Sequence, residues 1–231
     1  MKREYAIFDL DGTLLDFEGI SGAALRSVIA RFGQSFTSDM HAAILGTPSS
    51  SWGPKLVEHY NLQDHISPDD LVHAYHEEVT LLFPEMQMMS GAEQLLRSLK
   101  RQNIPIAIAT SSASHTVPLK TKHHPVFSEC IDVVVTGDDP LVVNGKPSPD
   151  IFLLAAKRLG CENASACVVF EDAPSGVLGG IRAGMHVIAV PDFRYLSQSV
   201  FDSHKDLFAN ESVSVLPSLE CVHVADFFIH S

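Results

Sequence analysis

Cysteine is scarce in this chain and badly spaced for structural use. The 231 residues hold four, Cys130, Cys161, Cys167 and Cys221. None forms a CxxC or zinc-type pair, so they read as reduced thiols, most of them buried, in a cytosolic protein. Basic residues are few as well. Sixteen Lys and Arg against 28 Asp and Glu give a formal net charge of −12, which argues against nonspecific binding to nucleic acid or an anionic membrane surface. An anionic substrate would have to be held by local cations or a metal. No apolar run approaches the roughly 18 residues of a membrane span. Met1-Lys2-Arg3-Glu4 runs straight into the first apolar segment, leaving no room for a signal peptide. A cytoplasmic protein, monomeric rather than an obligate oligomer, is the expectation.

A real core is nevertheless available, with 45% hydrophobic and 19% charged residues. From Ile106 onward, short apolar runs alternate with helical patterns. Ile106–Ala109, Val133–Val135, Val168–Phe170 and Val187–Val190 are continuous rather than alternating, the mark of strands covered on both faces in a parallel sheet. Ser90 with Glu93 has the capping-box spacing for a helix over Ala92–Arg101. Ser148-Pro149-Asp150 opens another helix, which Gly160 stops. The alternation predicts a doubly wound α/β core. Residues 19–86 break it, with helical stretches at Ala23–Phe32, Asp39–Leu45 and Asp69–Phe83 and no convincing strand. The predicted domains are therefore a core of residues 1–18 and 87–231 and a helical insert of residues 19–86.

The first strand carries the chemistry. Tyr5-Ala6-Ile7-Phe8-Asp9-Leu10-Asp11-Gly12-Thr13-Leu14 is an apolar run ending in two acids. It delivers them to the strand's C-terminal edge, where open α/β sheets place ligands. An Asp-Gly turn in solvent is the alternative reading of the pair. Thr110-Ser111-Ser112 offers hydroxyls and amides at the end of the next strand, suited to phosphate oxygens. Lys146 is followed by Pro147 and Pro149, so its backbone is stiff enough to hold the ammonium at one point; a surface lysine before a helix is the alternative reading. Glu171 and Asp172 end a further strand and supply oxygens of the kind Mg²⁺ prefers.

In order, Asp9/Asp11, Thr110, Lys146 and Glu171/Asp172 resemble the four motifs of the haloacid dehalogenase superfamily of phosphatases, over nearly the whole chain. The insert resembles that family's helical cap. Leu82-Phe83-Pro84, Thr136-Gly137-Asp138-Asp139-Pro140, Gly145–Phe152 and Val169–Gly176 are similar to the subgroup with pseudouridine-5′-phosphatase and glycerol-phosphate phosphatases. Phe17 and the loop Gly46–Trp52, which lacks a basic residue, depart from that pattern.

The resemblance implies a Mg²⁺-dependent phosphatase for a small phosphate monoester, with Asp9 as nucleophile through a phospho-aspartate. It makes Asp11 the acid and base, and Thr110, Ser111 and Lys146 the phosphate holders. Asp9, the Asp11 backbone carbonyl and Asp172 would hold the metal, with Glu171 behind them. Thr47 and Trp52 would set specificity in the cap. A phosphate dianion with Asp9 and Asp172 outweighs Mg²⁺ and Lys146 by one negative charge, before Glu171 or Asp11 is counted. A phosphomutase, or an idle binding protein of the same fold, are the alternatives. His115, His123 and His124 read as a solvated surface, and Gly176, Gly179, Gly180 and Gly184 as close helix packing.

Overall fold

The computed structural model describes residues 3–44, 47 and 49–228. In chain order it runs β1 (Tyr5–Phe8), α1 (Phe17–Ala30), α2 (Ser38–Ile44), α3 (Ser49–His59), α4 (Pro68–Leu82), α5 (Ala92–Arg101), β2 (Ile106–Thr110), α6 (Val117–Thr121), α7 (Val126–Cys130), β3 (Val133–Thr136), α8 (Asp150–Arg158), β4 (Cys167–Glu171), α9 (Pro174–Arg182), β5 (His186–Ala189) and, after two short helices, β6 (Val213–Val215). The chain divides into two compact units, Met1–Asp16 with Gln87–Ser231, and Phe17–Met86.

The first unit holds one parallel sheet in the order β3-β2-β1-β4-β5-β6. This is the doubly wound α/β architecture predicted. The strand order reverses between β1 and β4, the crevice where such sheets take ligands. Phe8 pairs with both Ile108 and Phe170, so Asp9 leaves the sheet level with Glu171. One face buries Ile7, Ala107, Val169 and Val187 under Ile151, Phe152, Ala155 and Val177. On the other, Phe8 stacks on Phe170 at 4.2 Å between ring centroids. Each fully buried side chain of this size contributes about 1.5–3 kcal/mol, which is why the apolar runs are unbroken.

The glycines of α9 do pack closely. A Cβ would stand 2.9 Å from Phe152 Cε2 at Gly179 and 2.7 Å from Val187 Cγ2 at Gly180.

Two predicted caps take other forms. Gly91, at φ +81, precedes α5 in place of a capping box, and Ser90 Oγ donates instead to Glu220 Oε1 at 3.0 Å. A Cβ on Gly91 would meet the Glu220 nitrogen at 2.4 Å, so backbone approach decides this end. At α8 the Ser148 hydroxyl bonds the Asp150 carboxylate, and no side chain caps the backbone. The half-exposed β6 has too short an apolar run to be seen in sequence.

The second unit is all helical among its described residues. Ser21 Oγ meets the Tyr75 hydroxyl at 3.0 Å, and Ser27 donates to Glu78 at 2.7 Å, joining α1 to α4. Leu25, Val28, Ile29, Leu56, Leu71 and Val79 form its core. Ser67 caps α4, accepting from the Asp70 N–H at 3.1 Å, with Pro68 in the first turn. The segment read as a cap loop is largely helix: Ser49–Trp52 belong to α3, while Gly46 and Pro48, like Leu45 of the predicted Asp39–Leu45 helix, lie outside the described residues. Three successive serines hid the helix, since serine favours caps and turns over helix interiors.

Candidate active site

Asp9 is the first residue past β1, buried, its N–H held by the Phe170 carbonyl at 3.0 Å. Three residues on, Gly12 adopts φ +89 and lets the backbone turn beneath Asp172. Thr13 Oγ1 donates to Asp172 Oδ1 at 2.7 Å. The two strand ends are thus joined across the switch point. Asp16, at the end of this segment, is braced by Arg194 at 3.0 Å, and its N–H donates to Gln87 O at 2.9 Å.

Lys146 sits between the two strands. Its ammonium donates to Asp9 and, at 2.7 Å, to Glu171 Oε1, with 6% of the side chain exposed. The Phe152 ring lies 5.0 Å beneath it. Both Glu171 oxygens are engaged, the second accepting the Ala173 N–H at 2.9 Å. A Cβ on Gly176 would stand 1.7 Å from Glu171 Oε1, so the third residue of α9 must lack a side chain. Glu171 is a holder for Lys146.

Burial pushes Asp9 up to about 7, the Glu171 and Asp11 carboxylates adding to the effect and Lys146 opposing it. Asp172 is raised well above the ordinary aspartate range by burial, then by Glu171 and Asp9. Burial works against the charged Lys146, yet Asp9 and Glu171 outweigh it and raise its pKa.

Thr110 is buried at the end of β2, its Oγ1 accepting the Ser112 N–H at 3.1 Å. Ser111 is exposed, its backbone so close to Gly137 that a Cβ there would stand 2.5 Å from Ser111 O. Asp138 fixes this loop pair: Thr136 and Ser114 hydroxyls donate to it at 2.7 and 2.8 Å. Those bonds hold its carboxyl down at about 2. Asp139 pairs with Arg158 at 2.6 Å.

Sequence reasoning missed Lys120. Only 5% of its side chain is exposed, and Nζ lies 2.6 Å from Asp11 Oδ2 and 2.8 Å from Ser112 Oγ. A lysine on a five-residue helix carries no local signal of burial. A second ammonium therefore enters the charge count.

The donor set suits a hard divalent cation. Asp9, Asp11, Glu171 and Asp172 set four carboxylates against the ammoniums of Lys146 and Lys120, a formal excess of two negative charges. All the candidate ligands are oxygens. Among the described residues no group of three His, Cys, Asp or Glu side chains is gathered as a metal site. The expected set asks for only two carboxylates, with a backbone carbonyl as the third donor.

Within the helical unit, Trp52 is buried edge-on to Tyr75 at 5.2 Å, an internal anchor. Thr47 Oγ1 donates to the Ile44 carbonyl at 2.6 Å. Both line a cavity of about 140 Å³ together with Glu18, Ser21, His41 and Tyr75. Glu18 and His41 are 3.4 Å apart. Lys55, the first lysine past the predicted loop, donates to the Ala43 carbonyl at 2.8 Å.

The model of the haloacid dehalogenase-like hydrolase family matches residues 6–190. The chain belongs to that family and is a hydrolase. It is 39% identical over 192 residues to (DL)-glycerol-3-phosphatase 2 of Arabidopsis thaliana, covering 82% of this chain and 80% of that protein. A Drosophila melanogaster protein named "Probable pseudouridine-5'-phosphatase" is 39% identical over 199 residues, covering 85% of each. The crystal structure of CbbY from Rhodobacter sphaeroides in complex with phosphate is similar at a TM-score of 0.71 and 26% identity, covering 94% of this chain and 95% of that one.

Proposed function

We propose that this protein is a Mg²⁺-dependent phosphatase that hydrolyses a small, soluble phosphate monoester through a phospho-aspartate at Asp9. The observation that carries this reading is Lys146, buried between the Asp9 and Glu171 carboxylates at the reversal of strand order. The names of the relatives, phosphatases of glycerol phosphate and pseudouridine phosphate, support the substrate class.

Phosphoryl transfer asks a site to position reactants and neutralise charge. The Asp9 carboxylate attacks phosphorus, forming an O–P bond as the ester P–O bond breaks and its electron pair passes to the leaving oxygen. Asp11 gives that oxygen a proton. Asp11 then takes a proton from the water that attacks the phospho-aspartate, restoring Asp9 and releasing phosphate. Lys146, Thr110 and the Ser111 loop hold the phosphate oxygens. Asp9, the Asp11 carbonyl and Asp172 would hold Mg²⁺, which supplies positive charge against the transferring group. The helical unit acts as a cap that excludes water.

A phosphomutase must hold a second phosphate, for which Arg or Lys is the natural partner. Among its described residues the cavity of the helical unit is lined by neither. Hydrolysis with an uncharged leaving group, of glycerol or nucleoside kind, is therefore favoured. Purified protein should release phosphate from an aryl phosphate with Mg²⁺ and stop when a chelator is added. Asp9→Asn should abolish turnover with an unchanged circular dichroism spectrum. An Asp9→Asn protein as active as the wild type would remove the nucleophile.

A further inference from the structure

Lys120 stands outside the four motifs, yet it is among the most buried charged groups of the chain, at 4% exposure. An ammonium is costly to bury unless it is paired and hydrogen-bonded. Its partner is the side chain of Asp11, 109 residues away in sequence, with Nζ to Oδ2 at 2.6 Å. Ser112 completes the contact. Its hydroxyl accepts from Lys120 at 2.8 Å and donates to the same Asp11 Oδ2 at 2.7 Å. Oδ2 thus accepts two hydrogen bonds, whereas Oδ1 is buried with no hydrogen-bond partner among the described residues.

We infer that Lys120 is a positioning residue for Asp11: with Ser112 it occupies Oδ2, fixes the plane of the carboxyl group, and confines proton exchange to Oδ1. This rests on the phosphatase reading above. The balance is simple. As the ester P–O bond breaks, its electron pair goes to the leaving oxygen, and the proton on Asp11 Oδ1 moves to that oxygen. The carboxylate that remains is held by the Lys120 ammonium. In the second half, the attacking water returns a proton to Oδ1. Because the Ser112 N–H also bonds Thr110 Oγ1 at 3.1 Å, the same residue links the Asp11 clamp to the end of β2.

Leaving-group chemistry tests this directly. An alkyl oxygen needs its proton as it departs, while a nitrophenolate departs without one. The quantity to compare is kcat/KM, which covers phosphoryl transfer to Asp9 and not hydrolysis of the intermediate. Lys120→Met should lower kcat/KM for glycerol phosphate by about 100-fold, the lower end of what general acid catalysis contributes. For p-nitrophenyl phosphate the loss should be far smaller, about 3-fold. Ser112→Ala should show the same pattern at smaller size, and it serves if Lys120→Met fails to fold. In an Asp11→Asn background Lys120→Met should add no further loss. Equal losses on both substrates, or an added loss in that background, would overturn the inference. A wild-type protein that hydrolyses neither ester would overturn the phosphatase reading instead.

Discussion

A Cβ on Gly12 would stand 2.4 Å from Oδ2 of Asp172. The turn after β1 and the end of β4 therefore meet at a distance that only glycine permits, and the φ of +89 at Gly12 adds a second requirement for it. Gly12→Ala should reduce phosphatase activity more than about 100-fold, because displacing Asp172 disturbs the charge balance at the reacting centre. Gly33 is the control. It also has positive φ, +71, but nothing lies within 4 Å of its Cβ position. Gly33→Ala should cost about 1 kcal/mol of stability and leave kcat/KM as it was. Equal activity losses in the two variants would show that backbone strain, rather than Asp172, is responsible.

Glu171 serves the site through Lys146, so its charge matters more than its shape. Glu171→Gln keeps an acceptor for the Ala173 N–H but removes one of the two carboxylates around the buried ammonium. The variant should lose about 1–3 kcal/mol of stability in chemical denaturation and at least 10-fold in kcat/KM. Full activity would place Glu171 outside the machinery.

Mg²⁺ should stabilise the protein as well as activate it. On the proposed reading, Asp9, the Asp11 carbonyl and Asp172 would hold the ion in the folded state only, and folding would then be linked to metal concentration. At 100 times the dissociation constant the gain is about 2.7 kcal/mol. The denaturation midpoint should rise with added Mg²⁺ and fall with chelator, and Asp172→Ala should abolish that response. A response unchanged in Asp172→Ala would locate the ion elsewhere.

Trp52 fills the interior of the helical unit against Tyr75. Trp52→Ala should destabilise that unit by about 3–5 kcal/mol, seen as an earlier unfolding transition. Because the same ring lines the 140 Å³ cavity, preference among phosphate esters should also change. A single common factor on every substrate would make Trp52 structural only.

His186, on β5, provides a pH test. Burial, then the nearby Arg3, lowers its pKa from 6.5 to about 4. Between those values the unfolded chain binds a proton that the folded chain does not, so stability is full above about 6.5 and falls as the pH drops towards 4. His186→Gln, which can still meet the Ser214 hydroxyl now 3.1 Å from Nε2, should flatten this part of the denaturation–pH profile. An unchanged slope would refute the assignment.

How much of this was legible beforehand depends on the range of the interaction. Ile106–Ala109 and Val168–Phe170 announced buried parallel strands because burial on both faces requires unbroken apolar residues, and that is a local property. The acids after Phe8 and Phe170 could be placed at a strand edge for the same reason. Capping at Ser90 failed because Gly91 lies against Glu220, 129 positions away along the chain, and no local spacing reports such an approach. Helix α3 was hidden by Ser49-Ser50-Ser51, whose propensity is overridden once Trp52, Leu56 and Val57 are buried.

The order of apolar runs and charged strand ends was thus written in the chain itself, since strand burial and strand termini depend on neighbouring residues. The pairing of partners was decided only by the tertiary structure. Lys146 between Asp9 and Glu171, and Lys120 on Asp11, are contacts across 137, 25 and 109 positions. A lysine looks the same in sequence whether solvent or a carboxylate surrounds it. Its charge acquires a role only when the fold removes water and leaves carboxylates within reach.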